Sequence, residues 1–370
     1  MKLLDYLRSK VLDEIGFSKE AYCLTDGFGV SMGGSGLMAT SRDFMLFALL
    51  ILNNGKLNGK QYISADYIKE STSFQTATCV TGPVPSESQG YGLQFWIGEH
   101  GSIVCYGMGG QLAILLPEYN TAIVTTADTQ GYQGGNQVIY DAIFRHILPE
   151  LEKKKAPWTP TDEEKLAFEQ FMSKLAIRPL NHNKSASEAW NNKFENVNDI
   201  NTSFLTNFRP IMSSFEGTYV IKKASDAAKT LDKNIINETI WDEISFEMSD
   251  PLTPSAMGKV ALKCHVSPYN TDSTVTFEFG FGVLKEGTLN MTTHMGNRAD
   301  EPVPVSMHYA ASAEWLSENM LYIRVHLLDT SVGSIHIQAV FGESDVTIFL
   351  RKQEETLFGE FSGHLYGTRQ

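Results

Sequence analysis

Cysteine is scarce in this chain, and its four cysteines stand far apart. They are Cys23, Cys79, Cys105 and Cys264 in 370 residues, with no Cys-x-x-Cys pair. This spacing is typical of free thiols, and it lacks the pairing that zinc sites show. The nine histidines are equally scattered, without a His-Glu-x-x-His motif. The sequence therefore predicts no metal site and no cofactor.

Long apolar runs and an excess of basic residues are also missing. No apolar stretch is long enough to cross a bilayer, and residues 1–8 are charged and lack the apolar core of a signal peptide. The formal net charge of −13 disfavours nucleic acid and anionic membranes as partners. Neither observation fixes the localisation. What the sequence does have is length and apolar content for two or three domains.

Residues 1–150 have the pattern of helices followed by an antiparallel sheet. Apolar residues recur at helical spacing from Leu4 to Ile15, and Thr40-Ser41-Arg42-Asp43 predicts the start of a second helix. Strands are predicted at 91–97, 103–106, 111–116 and 122–126, and a helix at 138–148 covers one sheet face. The predicted class is an α+β domain.

The remaining sequence divides into a linker and a β-rich region. Residues 151–212 are polar, with a short helix from about Asp162 to Leu175 and an irregular segment at 181–201. Residues 213–370 contain short alternating strands separated by turns such as Gly342-Glu343-Ser344-Asp345. This pattern predicts an all-β, barrel-like domain, and it weakly resembles lipocalin-like barrels.

One glycine-rich corner is the strongest candidate for a functional site. The stretch 106–111 reads Tyr-Gly-Met-Gly-Gly-Gln and leads into the apolar run 112–116. Glycines at the junction of two strands let another group approach the backbone closely. A tight β-corner without a function is the alternative interpretation.

Residues 1–150 resemble the C-terminal half of the catalytic domain of the serine β-lactamase and penicillin-binding-protein superfamily. The branch they resemble most is that of class C β-lactamase-like esterases, peptidases and 6-aminohexanoate-dimer hydrolases. Each motif alone is weak, whereas their common order is fairly specific. The motifs are the segment Tyr6–Phe17, Gly33-Gly34-Ser35-Gly36-Leu37 with Thr40-Ser41-Arg42-Asp43-Phe44, the stretch Leu52–Lys60, Tyr91-Gly92, and Gly107–Gln111 with Leu116-Pro117.

The resemblance implies acyl transfer through a serine nucleophile. Met108, Gly109 and Gly110 match the motif on the strand that faces the nucleophile, where they would contact the substrate. The backbone N–H of Gln111 is then the expected donor to the oxyanion. Met108 stands where the family usually has lysine or histidine, so a substrate carboxylate finds no cation there. A small ester or amide is the substrate that this departure favours.

The family's nucleophile motif is missing from these 370 residues. Neither Ser-x-x-Lys nor Tyr-x-Asn occurs, and the resemblance places both before Met1. The expectation is a truncated serine hydrolase, inactive as this chain, and its status as an enzyme is uncertain. A non-catalytic ligand- or partner-binding module and one half of a split enzyme are the alternatives.

Other residues that could carry chemistry are weaker candidates than the glycine corner. Ser35 has no lysine or histidine at helical spacing, which disfavours it as a nucleophile. The His-x-Gly triplet at 294–296 lies outside the family's order, and His326 and His336 are expected to be packed or exposed on strands. Because the resemblance begins in mid-domain, exposed sheet edges predict a homo-oligomer or a covering by the linker or barrel.

Overall fold

The computed structural model divides the chain into two compact units, residues 1–161 and 162–370. The three-part division at 150 and 212 stays a prediction. The predicted irregular segment 181–201 and the triplet 294–296 lie outside the described residues. The structure describes residues 2–26, 28–82, 84–129, 134–153, 159–180, 215–225, 238–248, 257–267, 271–293, 303–317, 319–328, 333–353 and 361–370.

The first unit opens with the predicted helix, which contains one wide turn. Helix α1 (Leu3–Leu7) continues through a π-helical turn (Arg8–Leu12) into α2 (Asp13–Ile15). The helix ends at Gly16, whose φ of 91° is a left-handed conformation that glycine adopts without strain. Strands β1 (Tyr22–Cys23) and β2 (Leu37–Met38) then pair antiparallel.

Helix α3 (Ser41–Leu52) begins at the capping box that the sequence predicts. The Thr40 hydroxyl accepts from the Asp43 N–H at 3.1 Å, and the Asp43 carboxylate accepts from the Thr40 N–H at 3.0 Å. Burial acts to raise the pKa of Asp43, but hydrogen bonds from Ser18 and Thr40 lower it below its ordinary value. The short elements that follow are β3 (Lys56–Leu57), β4 (Lys60–Gln61) and α4 (Ala65–Ser71).

A four-stranded antiparallel sheet forms the centre of the first unit. Its strands, in spatial and sequence order, are β5 (Trp96–Ile97), β6 (Ile103–Cys105), β7 (Leu112–Leu116) and β8 (Thr121–Thr125). The predicted strand at 91–97 is wrong in length. Its first half turns back on itself, with Gln94 at a φ of 69° and the Gly92 N–H bonded to the Phe95 carbonyl.

Strand β7 is buried on both faces, which explains its unbroken apolar run. Ala113 and Leu115 pack with α3, whereas Leu112 and Ile114 pack with the closing helix. That helix consists of α5 (Gln137–Ala142), a π-helical turn (Ile143–Ile147) and α6 (Leu148–Lys153). The predicted helix at 138–148 is therefore confirmed.

The second unit is a β-barrel, preceded by the exposed helix α7 (Asp162–Met172). All but one of the described consecutive strand pairs are antiparallel ladders, and the last strand pairs with the first. This arrangement confirms the predicted α+β part followed by an all-β barrel. The strands are β9 (Gly217–Ala224), β10 (Glu238–Met248), β11 (Met257–Ser267), β12 (Thr271–Phe281), β13 (Lys285–Thr293), β14 (Val303–Ser317), β15 (Met320–Leu327), β16 (Gly333–Phe341), β17 (Asp345–Gln353) and β18 (Phe361–Arg369).

Apolar side chains fill the described interior of the barrel. Along β15, Leu321, Ile323 and Val325 are fully buried and alternate with half-buried residues, as a strand's period of two requires. The walls of an open ligand cavity would be accessible to water, but the core side chains of nine strands are not. They are Ile244, Val260, Phe279, Leu289, Ala311, Ala313, Leu321, Ile323, Val325, Ile337, Ala339, Val346, Ile348 and Leu365.

One seam of the barrel is held by a side chain instead of a full ladder. In the described part of the barrel, β12 and β13 are the one consecutive pair without a ladder, and β12 meets β14 only at Gly280 and Phe281. Beyond that contact, the Tyr309 hydroxyl accepts from the Glu278 N–H at 2.8 Å. A Cβ on Gly287 would lie 2.6 Å from this hydroxyl, so β13 needs glycine where the tyrosine passes.

Replacing Tyr309 by phenylalanine is expected to lower the free energy of unfolding by about 1–2 kcal/mol, because the Glu278 N–H loses its acceptor. Urea unfolding measures the change. Tyr366→Phe is the matched control, since that hydroxyl donates to Asp345 at 3.2 Å nearer the solvent and is worth no more than about 1 kcal/mol. Equal effects of the two variants would contradict a special role of Tyr309 at the seam.

Candidate functional site

The glycine corner is a tight turn between β6 and β7. Met108–Gly110 form a single 3₁₀ turn, in which Gly109 has a φ of 74° and Gly110 a φ of 94°. Both values lie in the left-handed region, where a side chain costs strain. The sequence β6–corner–β7 thus places the Gln111 N–H at the start of a buried strand.

The space beside Gly110 is taken by the protein itself. A Cβ on Gly110 would lie 2.7 Å from Ile139 Cδ1 and 2.9 Å from Ala127 Cβ. Gly109 is buried as well, whereas the Met108 side chain is 44% exposed. Gly110 therefore makes room for the closing helix, and the substrate contact expected at these glycines stays a prediction.

Hydrogen bonds attach the corner to the end of β8 and to the segment that follows it. The Thr129 N–H donates to the Gly109 carbonyl at 3.0 Å, and the Thr125 hydroxyl donates to the Gly110 carbonyl at 2.8 Å. The Gln111 side chain donates to the Ala127 carbonyl at 2.6 Å. The turn is consequently fixed from one side along its whole length.

A buried polar network that sequence reasoning missed lies next to the corner. Glu87 is fully buried, and its Oε1 accepts from the Tyr140 hydroxyl at 3.2 Å and from Asn136 Nδ2 at 3.4 Å. Asn136 Nδ2 also lies 3.5 Å from the Gly107 carbonyl, and Asn136 Oδ1 accepts from the Thr129 hydroxyl at 2.8 Å. Two carbonyls of the corner are thereby connected to one buried carboxyl group.

Burial controls the ionisation of this network. Desolvation raises the pKa of Glu87 above its ordinary value, although Asn136 and Tyr140 act in the opposite direction. Burial together with the neighbouring Glu87 also raises the pKa of Tyr140. Among the described residues, no cation contributes to the pKa of Glu87. Burial thus shifts the ionisation of this carboxyl group towards its neutral, protonated form.

Aromatic rings and a thiol complete the surroundings of the corner. The Trp96 ring lies 5.1 Å from that of Tyr91 and 5.6 Å from that of Tyr106, which precedes the corner. Burial raises the pKa of the Cys105 thiol to about 12. Because the thiolate is the reactive form, this cysteine is unsuited to be a nucleophile at neutral pH.

The other residues singled out in the sequence make no hydrogen bond to this network in the described part of the chain. Ser35 is exposed in its glycine-rich loop. His336 is hydrogen-bonded on strand β16, with Nδ1 2.6 Å from the Tyr322 hydroxyl and Nε2 2.9 Å from that of Ser334. In the described ranges, no three His, Cys, Asp or Glu side chains group as metal ligands would. No helix in those ranges is long and apolar enough to span a membrane.

Among the solved structures that are similar to part of this chain are three of different kinds. A putative 6-aminohexanoate-dimer hydrolase from Bacillus anthracis is 27% identical with a TM-score of 0.35, over 41% of this chain and 39% of that one. A putative β-lactamase from Bacteroides dorei DSM 17855 is 18% identical with a TM-score of 0.29, over 38% and 50%. As-p18, an extracellular fatty acid binding protein, is 9% identical with a TM-score of 0.24, over 42% and 97%.

These similarities concern parts of the fold. The helix-plus-sheet region partially resembles β-lactamase-family hydrolases, and the barrel resembles a fatty acid binding protein. The match spans 39% of the first hydrolase and 50% of the second. No family model matches the sequence, and no curated protein matches it.

Proposed function

We propose that residues 1–150 form part of a β-lactamase-related serine hydrolase domain, with the corner Gly107–Gln111 as one wall of its acyl-transfer site. The observation that carries this proposal is the hydrogen-bonded Met108–Gly110 turn, after which Gln111 leads directly into the buried strand β7. The Gln111 N–H is the proposed donor to the oxyanion. A backbone donor held by a rigid strand stabilises developing charge without rearranging.

The chemistry of Met108 narrows the proposed substrate. Its side chain is 44% exposed and uncharged, so it offers an apolar contact and no partner for a carboxylate. A small neutral ester or amide fits this wall better than an anionic one. Met108, Gly109 and Gly110 are the proposed substrate-contacting residues.

In this proposal, the serine nucleophile is not one of these 370 residues. Neither Ser-x-x-Lys nor Tyr-x-Asn occurs among them, and without that machinery acyl transfer has no attacking group. The chain alone would then supply the wall only. The alternative of a split enzyme, in which a second polypeptide supplies the serine, stays a prediction.

Two experiments test the wall and the missing nucleophile. A fluorophosphonate probe is expected to leave the purified chain unlabelled, and a serine located by mass spectrometry as labelled would overturn the assignment. Separately, a neutral acetamide derivative at millimolar concentration should shift the Gln111 amide resonance, whereas acetate should not. Gln111→Pro removes the N–H at a φ of −81° that proline tolerates, and the derivative should then no longer shift the neighbouring Leu112 amide resonance. In the control Gln111→Ala, which keeps the N–H, the derivative should still shift it.

The alternative of a ligand-binding barrel finds less support. The core side chains along the described strands are inaccessible to water, so they leave no lumen for a fatty acid. The expected homo-oligomer stays a prediction. Exposed apolar side chains on or beside β1 and β2, such as Val30 and Leu37, offer a surface for it.

A further inference from the structure

The carboxyl group of Glu87 has an unusual environment. It belongs to the short 3₁₀ turn Pro85–Glu87, and its side chain has no contact with solvent. Oε1 accepts two hydrogen bonds, whereas Oε2 has no hydrogen-bond partner in the described part of the chain. Buried polar atoms without partners are rare, and each calls for an explanation.

The groups that face Glu87 indicate which form it takes. Tyr140 from α5 and Asn136 from the turn before α5 both donate to it, and both are neutral. Tyr106, on the turn after β6, interacts with Tyr140. The nearby carboxylate of Glu99 accepts from the Ser86 hydroxyl instead. A carboxylate with two neutral donors and no cation leaves a full charge poorly stabilised in an apolar interior. The carboxylic acid leaves only a neutral O–H on Oε2 without an acceptor, which costs less.

We propose that Glu87, as a neutral carboxylic acid, is a positioning residue that holds the corner Gly107–Gln111 in shape through Asn136. The inference rests on the proposed function in one respect, that the corner is the wall of the acyl-transfer site. Glu87 is not a catalytic residue, since it lies behind the wall and touches no reacting atom.

A chain of hydrogen bonds connects the Glu87 carboxyl group to the corner. Asn136 directs one amide nitrogen at both Glu87 Oε1 and the Gly107 carbonyl. Its amide orientation is thereby set, and Oδ1 faces the Thr129 hydroxyl. Thr129 in turn donates its N–H to the Gly109 carbonyl. The residues on either side of Met108 are thus held by one network.

Ionisation of Glu87 would weaken this network, so the stability of the corner depends on pH. The pKa of Glu87 is raised in the folded chain, so the stabilisation from the buried acid is complete below the unfolded pKa. It is then lost as the pH rises towards the folded pKa. The protection of the corner's amides from hydrogen exchange should therefore decline as the pH rises over that interval. The measured rates are first corrected for the pH dependence of the intrinsic exchange rate.

Hydrogen exchange of the full chain, followed at the Thr129 amide, tests the proposal. Glu87→Leu removes the acceptor for Asn136, and we expect the Thr129 amide to exchange about tenfold faster while the amides of β7 are unchanged. Glu87→Gln keeps an acceptor oxygen that cannot ionise. It should restore protection to within about twofold and abolish the decline with pH.

Glu99→Gln is the matched control, because it removes a neighbouring carboxylate that bonds Ser86 and not Asn136. It should retain the pH dependence of the unmodified chain. A pH dependence that persists in Glu87→Gln overturns the proposal, and so does unchanged Thr129 exchange in a folded Glu87→Leu. If Glu87→Leu does not fold, the comparison of Glu87→Gln with Glu99→Gln decides. The measurement needs no substrate, so a failure of the proposed function would not affect it.

Discussion

Replacing Gly110 by alanine is expected to destabilise the corner by about 2–5 kcal/mol, the sum of left-handed strain and overpacking. The added Cβ would meet Ile139 Cδ1 at 2.7 Å and Ala127 Cβ at 2.9 Å, at a φ of 94°. Both neighbours are held in place, Ile139 by the closing helix and Ala127 by its bond from Gln111. Hydrogen exchange of peptides covering β6–β8 would measure the loss.

The matched control is Gly16→Ala, which separates strain from crowding. Gly16 has a φ of 91°, but a Cβ there would meet no atom within 4 Å. The control should therefore cost only the left-handed strain of about 1–2 kcal/mol. Equal costs for the two variants would contradict the close packing of the corner against the closing helix.

The second large effect is expected in the barrel, where Phe341→Ala should cost about 3–5 kcal/mol. Phe341 is fully buried and stacks on Phe215, with ring centroids 4.7 Å apart and planes at 14°. Its ring also meets that of Phe246 edge-on at 5.1 Å. Truncation would leave a cavity that the surrounding rings, each packed against others, cannot close. Urea unfolding followed by tryptophan fluorescence measures the change.

Phe349→Ala is the control for this substitution. Phe349 lies on the neighbouring strand β17, but its ring is 49% exposed. Truncation there should change the free energy of unfolding by no more than about 1 kcal/mol. If Phe341→Ala costs no more than the control, the barrel interior is loosely packed and a lumen for an apolar ligand becomes plausible.

The sequence predicted those helices and strands whose structure is determined by residues close together in the chain. The Thr40–Asp43 capping box needs only residues three apart, and it starts α3 where the sequence predicts. The apolar run of β7 likewise predicted a strand, and its burial on both faces in the structure explains why the run is unbroken. The barrel strands could be predicted for the same reason, because apolar and polar residues alternate with a period of two within each strand.

The network behind the corner had no such local signal. Glu87 and Tyr140 are 53 residues apart, and Glu87 and Asn136 are 49 apart. Nothing in the sequence around Glu87 distinguishes a buried acid from a solvated one, since burial is created by distant segments. The packing of the closing helix against Gly110 had no local signal either, because a glycine in the sequence indicates conformational freedom but not which distant atoms come close.

The closure of the barrel bears on how the second unit reaches its native state. Strand β18 pairs with both β17 and β9, and Arg369 donates to the Glu216 carbonyl 153 residues away in sequence. Contacts this remote form late, so relative contact order predicts slow folding for this unit. Until β18 arrives, β9 and β17 expose unpaired backbone edges, which makes aggregation during synthesis the main competitor of folding.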